Sequence, residues 1–361
     1  MTPQELTDLL YQSGALQQGS VTEVYVTENE AFNSHVQHLT VSYSSDAAPV
    51  LPSALIVKRN VPTEWGREAG RDEVAFYRFV AQHAERLPMI IPHFVATYDE
   101  ETEDSLLILQ DLSATHQSPV LRQQQIDQTD IPADATLYQV VETLAAFHAA
   151  WWEHPHLGTY PLAMDCYFDE EEHFRARGQE IEQNWQSCLA AEGNWLPQDV
   201  VRDVSEMVRL LPRVWERYFS KRFPARHQLT VVHFDAYLAN FLAPRTEGEG
   251  RVYMMDWQSP YASIGAFDLV IMCASFWTPE QRHANNREEN MLRRYLAALH
   301  AHGVANYTWE QLLEDYRLML LFFLQVAIWD QTNGSERDYW WPKLQCLLGA
   351  ARDFDSLSLL S

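Results

Sequence analysis

Two segments constrain this chain more than any other feature. They are Val231-Val232-His233-Phe234-Asp235-Ala236-Tyr237-Leu238-Ala239-Asn240 and Val252-Tyr253-Met254-Met255-Asp256. Each opens on a short run of β-forming apolar residues and ends in polar side chains. The first places a carboxylate and an amide five positions apart just beyond a strand. The second brings a further carboxylate to a strand end, where rigid backbone can aim it. Acid, amide and acid in this order are the layout of magnesium-assisted phosphoryl transfer. Asp235 is placed to accept the proton of an attacking hydroxyl. Asn240 and Asp256 are placed to hold a metal that neutralises phosphate charge. Magnesium prefers oxygen ligands and keeps several waters, so one amide and one carboxylate with substrate phosphates suffice. His233 and Asp235 alternate and share one side of an extended segment, and His233 either supports the loop or takes part in the chemistry.

The rest of the chain divides by period. Alternating β-formers at 21–26, 36–43 and 54–57 predict three antiparallel strands ending at Lys58. A helix is expected from Gly66 to about Arg86. Two more strands follow, Ile90–Thr97 and Leu106–Leu109, around the acidic turn 99–104. Beyond this the spacing is helical: 136–152, two or three helices in 165–220, then 266–276, 280–302, 309–329 and 337–350, with a strand pair near 229–256 between them. The expectation is an α+β, two-lobe plan, with an N-terminal lobe over 1–112 and a mainly helical C-terminal lobe over 113–361.

Lys58 ends the third strand, where its ammonium can reach nucleotide phosphates or simply solvent. Glu73 shares a helix face with Ala69, Tyr77 and Val80 that should turn toward the sheet. A carboxylate on that face is costly unless paired, and Lys58 is the nearest cation. The alternative, Glu68, points about 140° away at 100° per residue. Asp268 opens an apolar helix, as a carboxylate favoured by the dipole or as a clamp on the backbone of the 233–240 loop.

Composition narrows the partners. The 361 residues are 47% hydrophobic, with 12 Trp, 16 Tyr and 16 Phe, enough for a large core. A net charge of −24, from 26 basic and 50 acidic residues, disfavours nucleic acid and anionic membranes as partners. It suits a cationic or neutral substrate, or serves solubility alone. Cys166, Cys188, Cys273 and Cys346 form no CxxC pair, as expected in a reducing cytoplasm. The N-terminus shows no basic and apolar leader pattern. The apolar run from Leu318 to Trp329 contains Gln325 and falls short of the about 20 residues that span a bilayer, so it is expected as a buried helix. No HExxH, GxSxG or GxxxxGK[ST] motif is present. Oligomeric state is not legible.

Taken together, His233-Phe234-Asp235 with Asn240, Asp256-Trp257-Gln258 and Gly265–Leu269 resemble the aminoglycoside and choline kinase group, and within it the ecdysteroid-kinase-like branch. Val57-Lys58, Glu73–Tyr77, Leu107–Leu112 and Leu144–Trp152 extend the likeness over about residues 20 to 280, in family order. The resemblance implies a protein-kinase-like fold, ATP or GTP with Mg2+, and transfer of the γ-phosphate to a hydroxyl of a small molecule. It implies adenine against the backbone of Gln110, Asp111 and Leu112, and a substrate pocket built mostly after residue 113. The sequence departs from the family in two places. Phe234 stands where the family has glycine and protein kinases have arginine. The hairpin expected to cover the phosphates, with its tip at 29–34, holds no glycine. The second departure leaves a pseudokinase, a nucleotide-binding module without turnover, as the alternative.

Overall fold

A polar–apolar alternation that buries one strand face folds as an antiparallel sheet, and the first hundred residues obey it. The computed structural model describes residues 1–30, 34–47, 51–83, 87–246 and 250–360. Strands β1 (Val21–Glu30), β2 (Ser34–Tyr43), β3 (Ala54–Asn60), β4 (His93–Tyr98) and β5 (Ser105–Gln110) form one antiparallel sheet in the order β1-β2-β3-β5-β4. The expected β4 begins later than Ile90, because Pro92 has no amide to donate to a ladder. Ile90 instead bridges Met254.

Helix α1 (Pro3–Gln12) is started by a Thr2–Glu5 capping box and lays Leu6 and Leu10 on Leu39, Val41, Leu55, Val57 and Ile108. Each such side chain contributes roughly 1.5–3 kcal/mol on burial. Helix α2 (Glu64–Ala81) is capped by Thr63 and buries Glu73, Val74, Phe76, Tyr77 and Val80. It ends at Ala81, where Gln82 closes it, short of the expected Arg86; residues 84–86 lie outside the described residues.

The chain divides into two compact units, Met1–Gln117 with Leu242–Pro260, and Ser118–Phe241 with Tyr261–Ser361. The first also holds a small sheet in which β8 (Phe241–Pro244) lies between β6 (His116–Gln117) and β9 (Tyr253–Met254).

The second unit is helical. Its helices are α3 (Arg122–Ile126), α4 (Asp134–Trp151), α5 (Glu171–Glu192), α6 (Gln198–Leu210), α7 (Arg222–Ala225), α8 (Ala266–Ala274), α9 (Pro279–His283), α10 (Arg287–Ala301), α11 (Trp309–Thr332) and α12 (Arg337–Asp353). Helix α4 packs on α10, and α11 packs on α12, α8 and α5. Leu318–Leu324 lies buried inside α11, and no described helix is long and apolar enough to cross a membrane. The expected strand pair is rearranged. β7 (Thr230–Val232) pairs with β10 (Tyr261–Ser263), and β9 pairs with β8. Three-residue strands carry too little pattern to choose their partners, so the tertiary surroundings choose.

Candidate active site

In the first unit, the pleat of β3 turns Lys58 to the side of the sheet covered by α2. Lys58 Nζ lies 2.7 Å from Glu73 Oε2, and it also contacts Asp256 Oδ1. Glu73 is buried, so the ion pair is what makes its charge tolerable. Burial works against the Lys58 charge, but the Asp256 and Glu73 carboxylates outweigh it and hold the ammonium above its ordinary pKa. Burial raises the proton affinity of Glu73, and the Asp256 charge adds to it against the pull of Lys58. One cation thus serves two acids.

Asp256 follows β9 and adopts φ 68°, a left-handed conformation that aspartate tolerates better than most residues. Its Oδ1 also accepts from Gln258 Nε2 at 2.7 Å. Trp257 stacks on Phe76 of α2, with ring centroids 4.3 Å apart and planes 20° apart. The stack ties the Asp256 segment to the helix that carries Glu73.

At the end of β5, Gln110 N–H donates to Pro92 O at 2.9 Å and Asp111 N–H to Ala54 O at 3.1 Å. Leu112 O accepts the amides of Thr115 and His116. The Asp111 carboxylate accepts from His38 Nδ1 at 2.7 Å and from Ser113 N–H at 2.8 Å. Burial pushes its pKa up, yet these hydrogen bonds prevail and hold it below the ordinary carboxylate value. Residues 31–33 of the expected phosphate-covering hairpin lie outside the described residues.

In the second unit, the loop after β7 is held by one carboxylate. Asp268, fully buried near the start of α8, accepts His233 N–H at Oδ2 (2.7 Å) and Phe234 N–H at Oδ1 (3.0 Å). His148 Nε2 on α4 lies 3.2 Å from Asp268 Oδ2, and His148 Nδ1 lies 2.7 Å from the Tyr295 hydroxyl on α10. The ring thus spans Asp268 on one side and the Tyr295 hydroxyl on the other. Three donors around one carboxylate make burying its charge affordable. Gly265 is required beside them, since a Cβ there would stand 2.6 Å from the Tyr295 hydroxyl.

Phe234 has φ 69°, in the left-handed region. Glycine enters this region without steric cost, which fits the glycine expected here from the resemblance. Here the residue retains its side chain by stacking on Phe267, with centroids 4.6 Å apart and planes 18° apart, and by meeting Tyr261 edge-on at 5.3 Å. His233 is fully buried, with its ring stacked on Phe241 at 6.5 Å. It touches the loop rather than an open face.

Asp235 is half-buried. Asn240 Nδ2 donates 2.8 Å bonds to both Asp235 O and Asp235 Oδ2, which folds the loop back on itself. With the amide nitrogen so used, the Asn240 oxygen is the end offered to a cation. In each unit taken by itself, an amide oxygen such as that of Asn240 and a carboxylate such as that of Asp256 are hard oxygen donors of the kind magnesium prefers over zinc. Among the described residues no group of three or more His, Cys, Asp or Glu could hold a metal by itself.

The structure thus brings together Lys58, Glu73 and Asp256 in one unit, and His233, Asp235, Asn240 and Asp268 in the other. Sequence reasoning did not single out His148, Tyr295, Gln258 or His38 as supports. His148 and Gln258 lay inside recognised motifs, and Gln258 acts on Asp256 two residues away. Tyr295 and His38 act across long separations, 147 residues from Tyr295 to His148 and 73 from His38 to Asp111.

This is the protein-kinase-like architecture of small-molecule kinases, an antiparallel sheet with one helix followed by a helical body. The chain belongs to the ecdysteroid kinase-like family, whose sequence model matches residues 28–304. Membership makes the protein a kinase. The fold is shared with a microcompartment-associated aminopropanol kinase, at TM-score 0.55 and 10% identity over 94% of this chain and 95% of the other. An ethanolamine kinase of Plasmodium vivax matches at TM-score 0.49 and 10% identity, over 92% of this chain and 84% of that one. The choline kinase LicA of Streptococcus pneumoniae matches at 0.47 and 13%, over 99% of each chain. No curated protein sequence matches the chain.

Proposed function

We propose that the protein transfers the γ-phosphate of ATP, with magnesium, to a hydroxyl of a small molecule. The observation that carries this is Lys58, held between Glu73 and Asp256 within β3, which runs past the expected end at Lys58 to Asn60. A lysine pinned this way presents a fixed charge for the α- and β-phosphates. Residues 1–112 take the nucleotide, with the base at Gln110 to Leu112; residues 113–361 take the acceptor and the chemistry. GTP differs from ATP only at that base.

Asp235 orients the acceptor hydroxyl and takes its proton, while Asn240 fixes the Asp235 loop through two hydrogen bonds. Asp268 presets the backbone of His233 and Phe234, so no reorganisation is needed at the moment of transfer. Asn240 and Asp256 would hold magnesium, which supplies neutralisation of the phosphate oxygens when bound. The four free cysteines fit a reducing, cytoplasmic setting.

A thermal-shift titration with Mg-ATP tests the nucleotide half of the reading. Saturation to about 100 times Kd should stabilise the wild type by about 2.7 kcal/mol. Asp256→Ala should abolish the shift and Asp235→Ala should preserve it. An absent wild-type shift at millimolar Mg-ATP would refute the reading.

A further inference from the structure

Beside Asp235 the second unit carries aromatic faces of the kind that hold amines, and this chain covers them with its own cations. The Arg122 guanidinium, at the start of α3, lies 4.5 Å from the centre of the Tyr237 ring, two residues after Asp235. The Tyr237 ring neighbours Phe276 at 5.8 Å. Lys343, buried on α12, sits 4.3 Å from the centre of the Tyr339 ring and 5.4 Å from that of Phe276. It donates to the Tyr339 hydroxyl at 3.0 Å and is neutralised by Asp330 at 2.6 Å.

The two cations differ in one respect that matters. Lys343 has its carboxylate and is closed off. Arg122 is exposed and, among the described residues, forms no ion pair. Partial desolvation works against its charge, while Asp235, Tyr237 and Tyr339 reinforce it. Stacking uses the face of a guanidinium; a hydrogen bond with the Tyr339 side chain takes part of the edge, and the fork of five N–H donors extends beyond that one bond. That edge matches a carboxylate or a similar anionic oxygen group in two-point contact. A quaternary or primary ammonium would find its aromatic seats taken and a like charge beside them.

We propose that the acceptor alcohol carries an anionic oxygen group, bound by Arg122, and that amino alcohols are excluded. The proposal rests on the phosphotransferase reading for the role of Asp235 but not for the binding of the anion. It also runs against the overall charge of −24, which by itself favours cationic ligands.

The test uses charge-matched alcohols on one skeleton: glycerate, glycerol and aminopropanediol, then gluconate, glucitol and glucamine. Binding to the full chain is read by saturation-transfer NMR without nucleotide, and phosphorylation by ADP release with Mg-ATP. The acid of at least one series should bind best, and Arg122→Gln should weaken it about 10- to 100-fold. Arg122→Lys should restore part of the loss, and Arg122→Glu should shift preference to the amine. Where turnover is seen, the Gln variant should raise KM and leave kcat within a few-fold, which a merely structural role would not do. Preferred binding or phosphorylation of the amine by the wild type, or acid binding unchanged in Arg122→Gln, overturns the proposal while leaving the kinase reading intact. Arg122-dependent acid binding in a protein that Mg-ATP does not stabilise would uphold this proposal and sink the kinase reading.

Discussion

The Asp268 carboxylate accepts the backbone N–H of His233 at 2.7 Å with one oxygen and that of Phe234 at 3.0 Å with the other. A side chain 35 residues downstream thus sets the loop that ends in Asp235 and Asn240. Asparagine cannot accept at both positions, because one would become an N–H facing an N–H. Asp268→Asn should cost about 2–3 kcal/mol in urea unfolding and reduce kcat/KM about 100-fold, since a loop displaced by an ångström loses its positioning. Unchanged turnover with the same loss of stability would separate the clamp from catalysis.

Asp235 is the residue assigned to the acceptor proton. Asp235→Asn retains the size and the hydrogen bond partner for Asn240 but cannot take a proton. Turnover should fall by about 100- to 10,000-fold, while the Mg-ATP thermal shift stays within error of the wild type. A variant with turnover near the wild type would transfer the role elsewhere.

Phe234 combines a left-handed backbone with a stacked ring, and the two act in opposite directions. Glycine relieves about 1–2 kcal/mol of backbone cost but forfeits the contact with Phe267. Phe234→Gly should therefore be destabilising by only about 1–2 kcal/mol and retain most activity, because its N–H still reaches Asp268. Phe234→Val removes the ring and keeps the backbone cost, so it should be the worse of the two by at least about 1 kcal/mol in Tm-derived stability. Equal loss in both would show that the φ angle is not a cost here.

Asp165 supplies a pH signature. It is buried, accepts Tyr167 N–H and the Ser263 hydroxyl at 3.0 Å each, and burial pushes its pKa from 3.8 up to about 6. A carboxyl with a raised folded-state pKa favours the fold when protonated. Its contribution is complete below about pH 4 and lost as pH rises through about 6, a swing of about 3 kcal/mol. Asp165→Asn should remove that slope and gain on the wild type by about this amount between pH ~4 and ~7. Parallel stability profiles in denaturant titrations across that range would contradict it.

Much of this was legible because it repeats with a period. The alternation around Val57 and Lys58 marked β3, and the spacing of Ala69, Glu73 and Tyr77 marked the buried face of α2 on which Glu73 meets Lys58. The loop from His233 to Asn240 is local, so its chemistry could be read in one line of sequence. What could not be read depends on contacts between distant segments. The pairing of β7 with β10 rests on three residues a strand. Arg122 reaches Tyr237 from a five-residue helix with no pattern of its own. The left-handed turn at Phe234 is imposed by Asp268 and Phe267, against the preference of the residue itself.

The most direct measurement of the account is product formation. The wild type and Asp235→Asn are each incubated with Mg-ATP and a library of alcohols, and the mixtures are read by mass spectrometry for an alcohol that has gained one phosphate. The account predicts a phosphorylated alcohol from the wild type, with ADP in equal amount, and none above background from Asp235→Asn. The same product at the same rate from both proteins would contradict it.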